Sequence, residues 1–508
     1  MLDSKRIAKN TIILYLRMLL LMVVSLYTSR IILEALGISD YGIYNVVGGI
    51  VIVLAFLNNT LSTAAARFIT VILGRGDKEE QKRIFANILA VCFCLSAIIV
   101  VLAETVGLYI LYHYLRIPAE RFYAASWVYH ISVATVIINI LSIPYNATII
   151  AHERIKAFAY ISIFDAISKL VVAFVLLHLQ NIDKLIVYAI LLFLINLVNR
   201  AIYGQYCLRH FVETKFTWSY DKQTLKDIFH FILWSSYGSF VSVGFTQGIN
   251  ILLNMFFGPV VNAARGVSVQ VQNAVVQFIT NFQTALNPQL IKCVSTMQYI
   301  EAKKLFVACS KYSFFLLCIL GVPIIIEADY ILALWLKDVP QFTVIFVRLM
   351  LIISICDSLA NPLRIVNQAE GNIKKFQLYE CSILLLIVPL SYLALKIYNW
   401  PAIVFVVHLL LNLMAQYVRV YIVLPKIGMS IYAYLKEVVL PITPVLVLPL
   451  FLGTYLSGLT NDRISGFILS VLFSVSLTLV MIYWVGLKKT EREKIVSILT
   501  KYCKWKKS

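Results

Sequence analysis

Pro144 to Phe158 reads PYNATIIAHERIKAF and Pro362 to Phe376 reads PLRIVNQAEGNIKKF, with proline, alanine, Ile-Lys and phenylalanine in the same register. Each copy joins a polar-striped hydrophobic helix, with its proline near the end, to a second hydrophobic helix through a short basic turn. Two membrane crossings meet in this way at the cytoplasmic face. A second pair, Glu80 to Phe85 (EQKRIF) and Glu301 to Phe306 (EAKKLF), recurs in the same order and at nearly the same interval. Two matched pairs at nearly one offset indicate an internal duplication.

Beyond these corners, the 508 residues are 61% hydrophobic and only 14% charged. That leaves too few charges to cover a soluble globule, and many apolar runs reach the roughly 20 residues a bilayer crossing needs. The fold class expected is an all-α polytopic membrane protein of about fourteen transmembrane helices, the first near residues 11–33 and the last near 464–487. The formal net charge of +19 sits in short loops between apolar runs, where it sets topology, so no nucleic-acid partner is expected. Cysteines such as Cys92, Cys318 and Cys381 lie inside apolar runs without zinc spacing, so neither a metal nor a cofactor is expected. The N-terminus runs into its first span without a small-residue cleavage site and reads as a retained helix.

Starting inside, the cytoplasmic segments hold 28 Lys and Arg and the outer loops five, namely Arg116, Arg121, Lys184, Lys337 and Arg463. This split predicts that both termini are cytoplasmic. The repeated corners lie six crossings apart, so the copies share one orientation and relate by a pseudo-twofold along the membrane normal. The organisation expected is a six-helix lobe over 1–207, a cytoplasmic connection over 208–230, a second six-helix lobe over 231–425, two further transmembrane helices over 426–487, and a basic amphipathic tail over 488–508. In the tail, Ile495, Ile498, Leu499, Tyr502 and Trp505 recur at helical spacing among lysines, which suits an anionic inner leaflet.

Several spans carry one polar face. Ser132, Thr135, Asn139, Ser142 and Asn146 form one, and Ser235, Ser239, Ser242, Thr246 and Asn250 form another. Gln270, Asn273 and Gln277 lie below Arg265. Such stripes either glue helices together or line a water-filled cavity, and their ending near buried arginines favours the cavity. Of the basic residues within spans, Lys396, Arg200 and Arg419 have room to snorkel, Lys169 lies four residues from Asp165, and Arg348 and Arg364 have Asp357 as a candidate partner. Arg17, Arg30, Arg67, Arg265 and Arg348 are the candidate anion ligands, because a guanidinium stays charged and offers a bidentate fork that matches phosphate.

The runs Ser29 to Tyr44 (SRIILEALGISDYGIY), Ala64 to Phe68 (AAARF), Gly258 to Gly266 (GPVVNAARG) and Asn287 to Lys292 (NPQLIK) resemble polysaccharide and O-antigen flippases of the MOP exporter superfamily. The resemblance covers nearly the whole chain. It implies a MATE-like, two-lobed fold with two extra C-terminal helices, residing in the bacterial inner membrane. It also implies that undecaprenyl-pyrophosphate-linked oligosaccharide units move to the outer leaflet by alternating access through a cationic cavity, with Arg17, Arg67 and Arg265 at matching places. The partners it implies are the bilayer, the lipid-linked oligosaccharide and the sugar polymerase of the same pathway. The alternative is a MATE-like ion-coupled multidrug antiporter with an acid such as Glu104 or Asp357 taking the coupling ion. An enzyme is not expected, because the scattered histidines form neither metal spacing nor a catalytic constellation.

Overall fold

The structure is a computed structural model that describes residues 4–54, separate helical positions between 58 and 73, and residues 78–152, 154–214, 222–370, 374–459 and 463–493, with the backbone alone over 4–18 and 222–236. Among the described residues there is no strand. The helices are α1 (Ser4–Leu54), α2 (Lys78–His113), α3 (Phe122–Ala151), α4 (Ile155–His178), α5 (Lys184–His210), α6 (Lys222–Phe257) and α7 (Pro259–Ser295). They continue as α8 (Tyr299–Ile326), α9 (Ala328–Trp335), α10 (Thr343–Glu370), α11 (Lys374–Ile397), α12 (Ile403–Val423), α13 (Ile431–Gly458) and α14 (Ile464–Gly486).

Twelve helices among the described residues are long and apolar enough to cross a membrane, against about fourteen expected. The difference has two physical sources. Gly37 breaks α1 with φ 79° and ψ 168°, so one continuous helical run holds the first crossing and the start of the second. The other source is α7, whose 37 residues are long enough to cross but are interrupted by Asn262, Arg265, Gln270, Gln272, Asn273 and Gln277.

Gly258, between α6 and α7, also has a positive φ of 80°. It follows Gly37 at the interval by which Glu301 follows Glu80, so the two breaks fall at the offset of the sequence repeat. A Cβ would find open space at both positions; backbone conformation alone calls for glycine there.

By its internal packing the chain divides into two compact units, Met1–Val267 and Ser268–Ser508. The first unit takes in α6 and the opening turns of α7 because of a close seam with α1. A Cβ on Gly42 would collide with the carbonyl oxygen of Pro259, and one on Gly266 would come 2.9 Å from Asn45 Nδ2. Small residues let the backbones approach, and amides bridge them: Asn250 Nδ2 donates to Asn45 O at 3.0 Å, and Asn262 Nδ2 to Asn250 Oδ1 at 2.6 Å. Arg121 ties three segments of this unit together. It donates to Asp40 through Nε at 2.9 Å and to Asp183 through Nη1 at 2.8 Å, while Asp183 caps α5 by accepting from Leu185 N at 3.0 Å.

The duplication also shows in the two corners. In the first unit His152 pairs with the buried Glu213, with Phe211 stacked on the imidazole at 4.1 Å. In the second, Glu370 takes the position in its corner motif that His152 takes in the first, and it pairs with Lys426. Each corner therefore holds the segment that leaves the second helix after it, with the acid on the corner in one case and on that segment in the other.

In the second unit α13 and α14 pack on α8. A Cβ on Gly453 would collide with Ile326 Cδ1, and one on Gly486 would come 2.5 Å from Phe315 Cζ. Residues 494–508, most of the expected amphipathic tail, lie outside the described residues.

Candidate functional site

Arg265 stands two turns into α7, in the polar seam of the first unit. Its side chain is buried. Nη2 donates to the carbonyl oxygen of Thr246 at 2.6 Å, while Nε is buried without a hydrogen-bond partner. No ion pair involves Arg265 among the described residues. Asn254 Nδ2 and Asn262 Oδ1 are likewise buried and unsatisfied. A permanent cation with an unused N–H and no carboxylate partner among the described residues is an electrostatic deficit that an anion would fill. The end of the neighbouring helix is closed by Arg116, whose Nη1 donates to Phe256 O at 2.8 Å and whose backbone N–H donates to Asn254 Oδ1 at 2.8 Å.

Along the same helix, Asn273 and Gln277 are exposed and Gln270 is half-buried, whereas Val271, Val275 and Ile279 are buried. Exposing amides to hydrocarbon is costly, so a stripe of this kind suits water better than lipid. Two other polar side chains of α7 point inward. Gln272 Nε2 donates to Ser354 Oγ at 2.7 Å, and Gln283 Nε2 donates to Ser313 Oγ at 3.0 Å. These are helix-to-helix contacts of the kind the gluing alternative describes.

Arg30 is half-buried seven residues before Gly37, and Arg265 lies seven residues after Gly258. Each is about 10 Å along its helix from a glycine break. Arg67 and the side chain of Arg17 lie outside the described residues.

Arg348 does not pair with Asp357. Its Nη2 donates to Asp329 at 2.7 Å and its Nε to the carbonyl oxygen of Ile325 at 2.9 Å. It closes the C-terminal end of α8, whose last carbonyls lack helical partners. Glu104 is exposed on α2, 3.9 Å from His130 Nε2. Lys169 pairs with Asp165 at 2.7 Å, as its spacing predicts.

Arg419 departs most from expectation. It does not snorkel: only 1% of its side chain is exposed, and its Nε donates to Glu380, itself 7% exposed, at 2.8 Å. Arg364 donates to the same oxygen through Nη2 at 2.8 Å, and Asp357 stands 3.7 Å from both arginines. Sequence reasoning missed Glu380 because it follows the basic turn closely and reads as an acid at the cytoplasmic end of the next span. The helical spacing of Asn412, Gln416 and Arg419 on one face of α12 is the signal that would have found it.

No protein-family profile matches the chain, and no curated protein matches it. Solved structures do match. A lipid II flippase, MurJ, in an inward closed conformation aligns with TM-score 0.69 at 12% identity, over 92% of this chain and 98% of that one. An inward-facing multidrug resistance MATE family transporter of the MOP superfamily aligns with TM-score 0.57 at 13% identity, over 94% and 96%. An outward-facing one aligns with TM-score 0.59 at 17% identity, over 83% and 96%. The chain therefore has the fold that these solved membrane proteins share.

Proposed function

We propose that this protein is a flippase for an anionic, lipid-linked oligosaccharide, carried from the inner to the outer leaflet of a bacterial plasma membrane. The observation that carries the reading is Arg265: a buried guanidinium with an unpaired Nε–H, no carboxylate partner among the described residues, and an exposed amide stripe continuing along its helix. A pyrophosphate linkage is the matching chemistry, since it is charged and accepts bidentate donation. A fold shared with a lipid II flippase supports a lipid-linked cargo.

The polyprenyl pyrophosphate carries about two negative charges. An inside-negative potential then favours outward passage by up to about 4.6 kcal/mol per 100 mV if both charges cross the whole field. The protein has to lower the desolvation barrier without trapping the anion, and one arginine per station in a wetted seam does so. Arg30, Arg67 and Arg17 are the further members of this set. Alternating access, cytoplasmic termini and a sugar polymerase acting on the delivered unit complete the proposal.

A cation-coupled drug antiporter would need an acid open to an ion. Asp357 instead stands between two arginines and Glu104 faces His130, which favours the anion reading.

The test is complementation of a strain lacking this gene, scored by surface glycan. Arg265→Ala should abolish export at unchanged protein level, and Arg265→Lys should restore it only in part. Full export by the alanine variant would sink the proposal.

A further inference from the structure

Four charged side chains converge in the second unit, and they are held unequally. Glu380 Oε1 accepts from Arg364 Nε at 3.0 Å, Arg364 Nη2 at 2.8 Å and Arg419 Nε at 2.8 Å. Arg419 is also anchored by the amide oxygens of Asn412 at 3.1 Å and Gln416 at 3.2 Å. Its Nη2 is buried with no hydrogen-bond partner.

Asp357 is bound differently. Its Oδ1 stands 3.7 Å from Arg364 Nη2 and 3.7 Å from Arg419 Nη1, beyond hydrogen-bond reach. Its side chain is 42% exposed against 7% for Glu380. Asn412 and His408 of α12 also face it. Two guanidinium groups thus flank one partly exposed carboxylate, which hydrogen-bonds to neither.

We propose that this is an anion site in which Asp357 is a placeholder, displaced when a phosphate-class oxyanion takes the donors of Arg364 and Arg419. A phosphate has more oxygens than the carboxylate and no tether, so it closes the gap to Arg364 Nη2 and takes the unused Nη2 of Arg419, whose Nη1 hydrogens stay with Asn412 and Gln416. Glu380, with three charge-assisted bonds and little exposure, stays in place. With Asp357 the cluster is neutral, two arginines against two carboxylates; once Asp357 swings away, the positive charge is restored at the moment the anion arrives. The inference stands apart from the role of Arg265 and from the cargo, because it concerns other residues in the other unit. The phosphate belongs either to a soluble or carried molecule or to the headgroup of an anionic phospholipid.

The full-length protein in nanodiscs of phosphatidylcholine is titrated with inorganic pyrophosphate by calorimetry. Asp357→Asn should bind at least tenfold more tightly than the wild type, and adding Arg364→Gln should return the affinity to the wild-type value or below. Repeating the titration in nanodiscs containing phosphatidylglycerol separates the sources: weakened pyrophosphate binding identifies a lipid headgroup as the occupant, and unchanged binding a soluble or carried phosphate. Unchanged affinity in an Asp357→Asn protein that melts like the wild type overturns the site, as does a gain that survives Arg364→Gln. Asp357→Ser serves the same comparison if the asparagine variant does not assemble.

Discussion

Lys311, with 1% of its side chain exposed in the middle of α8, takes its counter-charge from Glu491, 180 residues downstream, at 3.3 Å. Tyr312 donates to the other oxygen of Glu491 at 3.2 Å, and the backbone N–H of Lys488 donates to Oε2 at 2.7 Å. The segment after α14 is therefore part of the second unit's fold. Burial alone would raise the Glu491 carboxyl, but the Lys488 N–H, the Lys311 charge and the Tyr312 hydroxyl together hold it below the usual carboxylate range. Its stabilisation is thus complete above the unfolded carboxyl value of about 4.3 and is lost as pH falls through the lower folded value. Melting followed from pH 7 downward should show the wild type declining in this acid range. Glu491→Gln should start lower, by up to about 3 kcal/mol for a buried charge left without its partner, and should decline less. Identical acid profiles would remove the pair from the stability account.

The glycine breaks predict a sharp contrast. Gly37→Ala and Gly258→Ala should each cost about 1–3 kcal/mol, since both place a Cβ on a positive-φ backbone. Gly48→Ala, at a position of ordinary φ with open space around it, should be neutral or slightly stabilising. Thermal melts of the three variants decide the matter, and equal behaviour would contradict the conformational argument.

The two corners should behave as matched latches. Glu213→Gln should speed hydrogen exchange of residues 211–214 while leaving the region around Lys426 untouched, and Glu370→Gln should do the reverse. His152→Lys places a permanent cation opposite Glu213 and should preserve protection. Loss of protection in that variant would show that stacking on Phe211, rather than charge, holds the first corner.

For topology, single cysteines at Lys337 and Lys304, both exposed, should differ in a cysteine-free background. An impermeant thiol reagent applied to intact cells should label the first and not the second, as the basic-residue split predicts. Asp183, though assigned to an outer loop, is a poor probe position because it bonds Arg121 and caps α5. The opposite labelling pattern would invert the assigned sidedness.

What the sequence disclosed and what it hid follow from the range of the forces involved. The helical class and the duplication were legible because bilayer-length apolar runs and a fixed offset are local, additive signals. The offset returned in three dimensions at Gly37 and Gly258, and again at His152 and Glu370. In sequence the first two crossings part near Gly37 and α7 counts as one; twelve described helices meet the length and apolarity of a crossing because α1 runs on through its break and α7 is polar. Ion pairing was hidden almost completely. Arg419 near a helix end looks the same in sequence whether it snorkels or meets Glu380 from another helix, and Lys311 finds its partner only after the chain has crossed the second unit. Arg265 stood among the sequence candidates, but its unused Nε–H depends on which carbonyl its Nη2 reaches.

The central claim is tested most directly by reconstituting the purified protein into liposomes under an inside-negative potential with a fluorescent polyprenyl-pyrophosphate-linked oligosaccharide, and following its appearance in the outer leaflet by quenching. The account predicts transfer by the wild type that accelerates with the potential, at least a hundredfold slower transfer by Arg265→Ala, corresponding to about 2.7 kcal/mol or more, and intermediate transfer by Arg265→Lys. Wild-type liposomes that move no more of the lipid than protein-free ones, or an alanine variant as fast as the wild type, would contradict it.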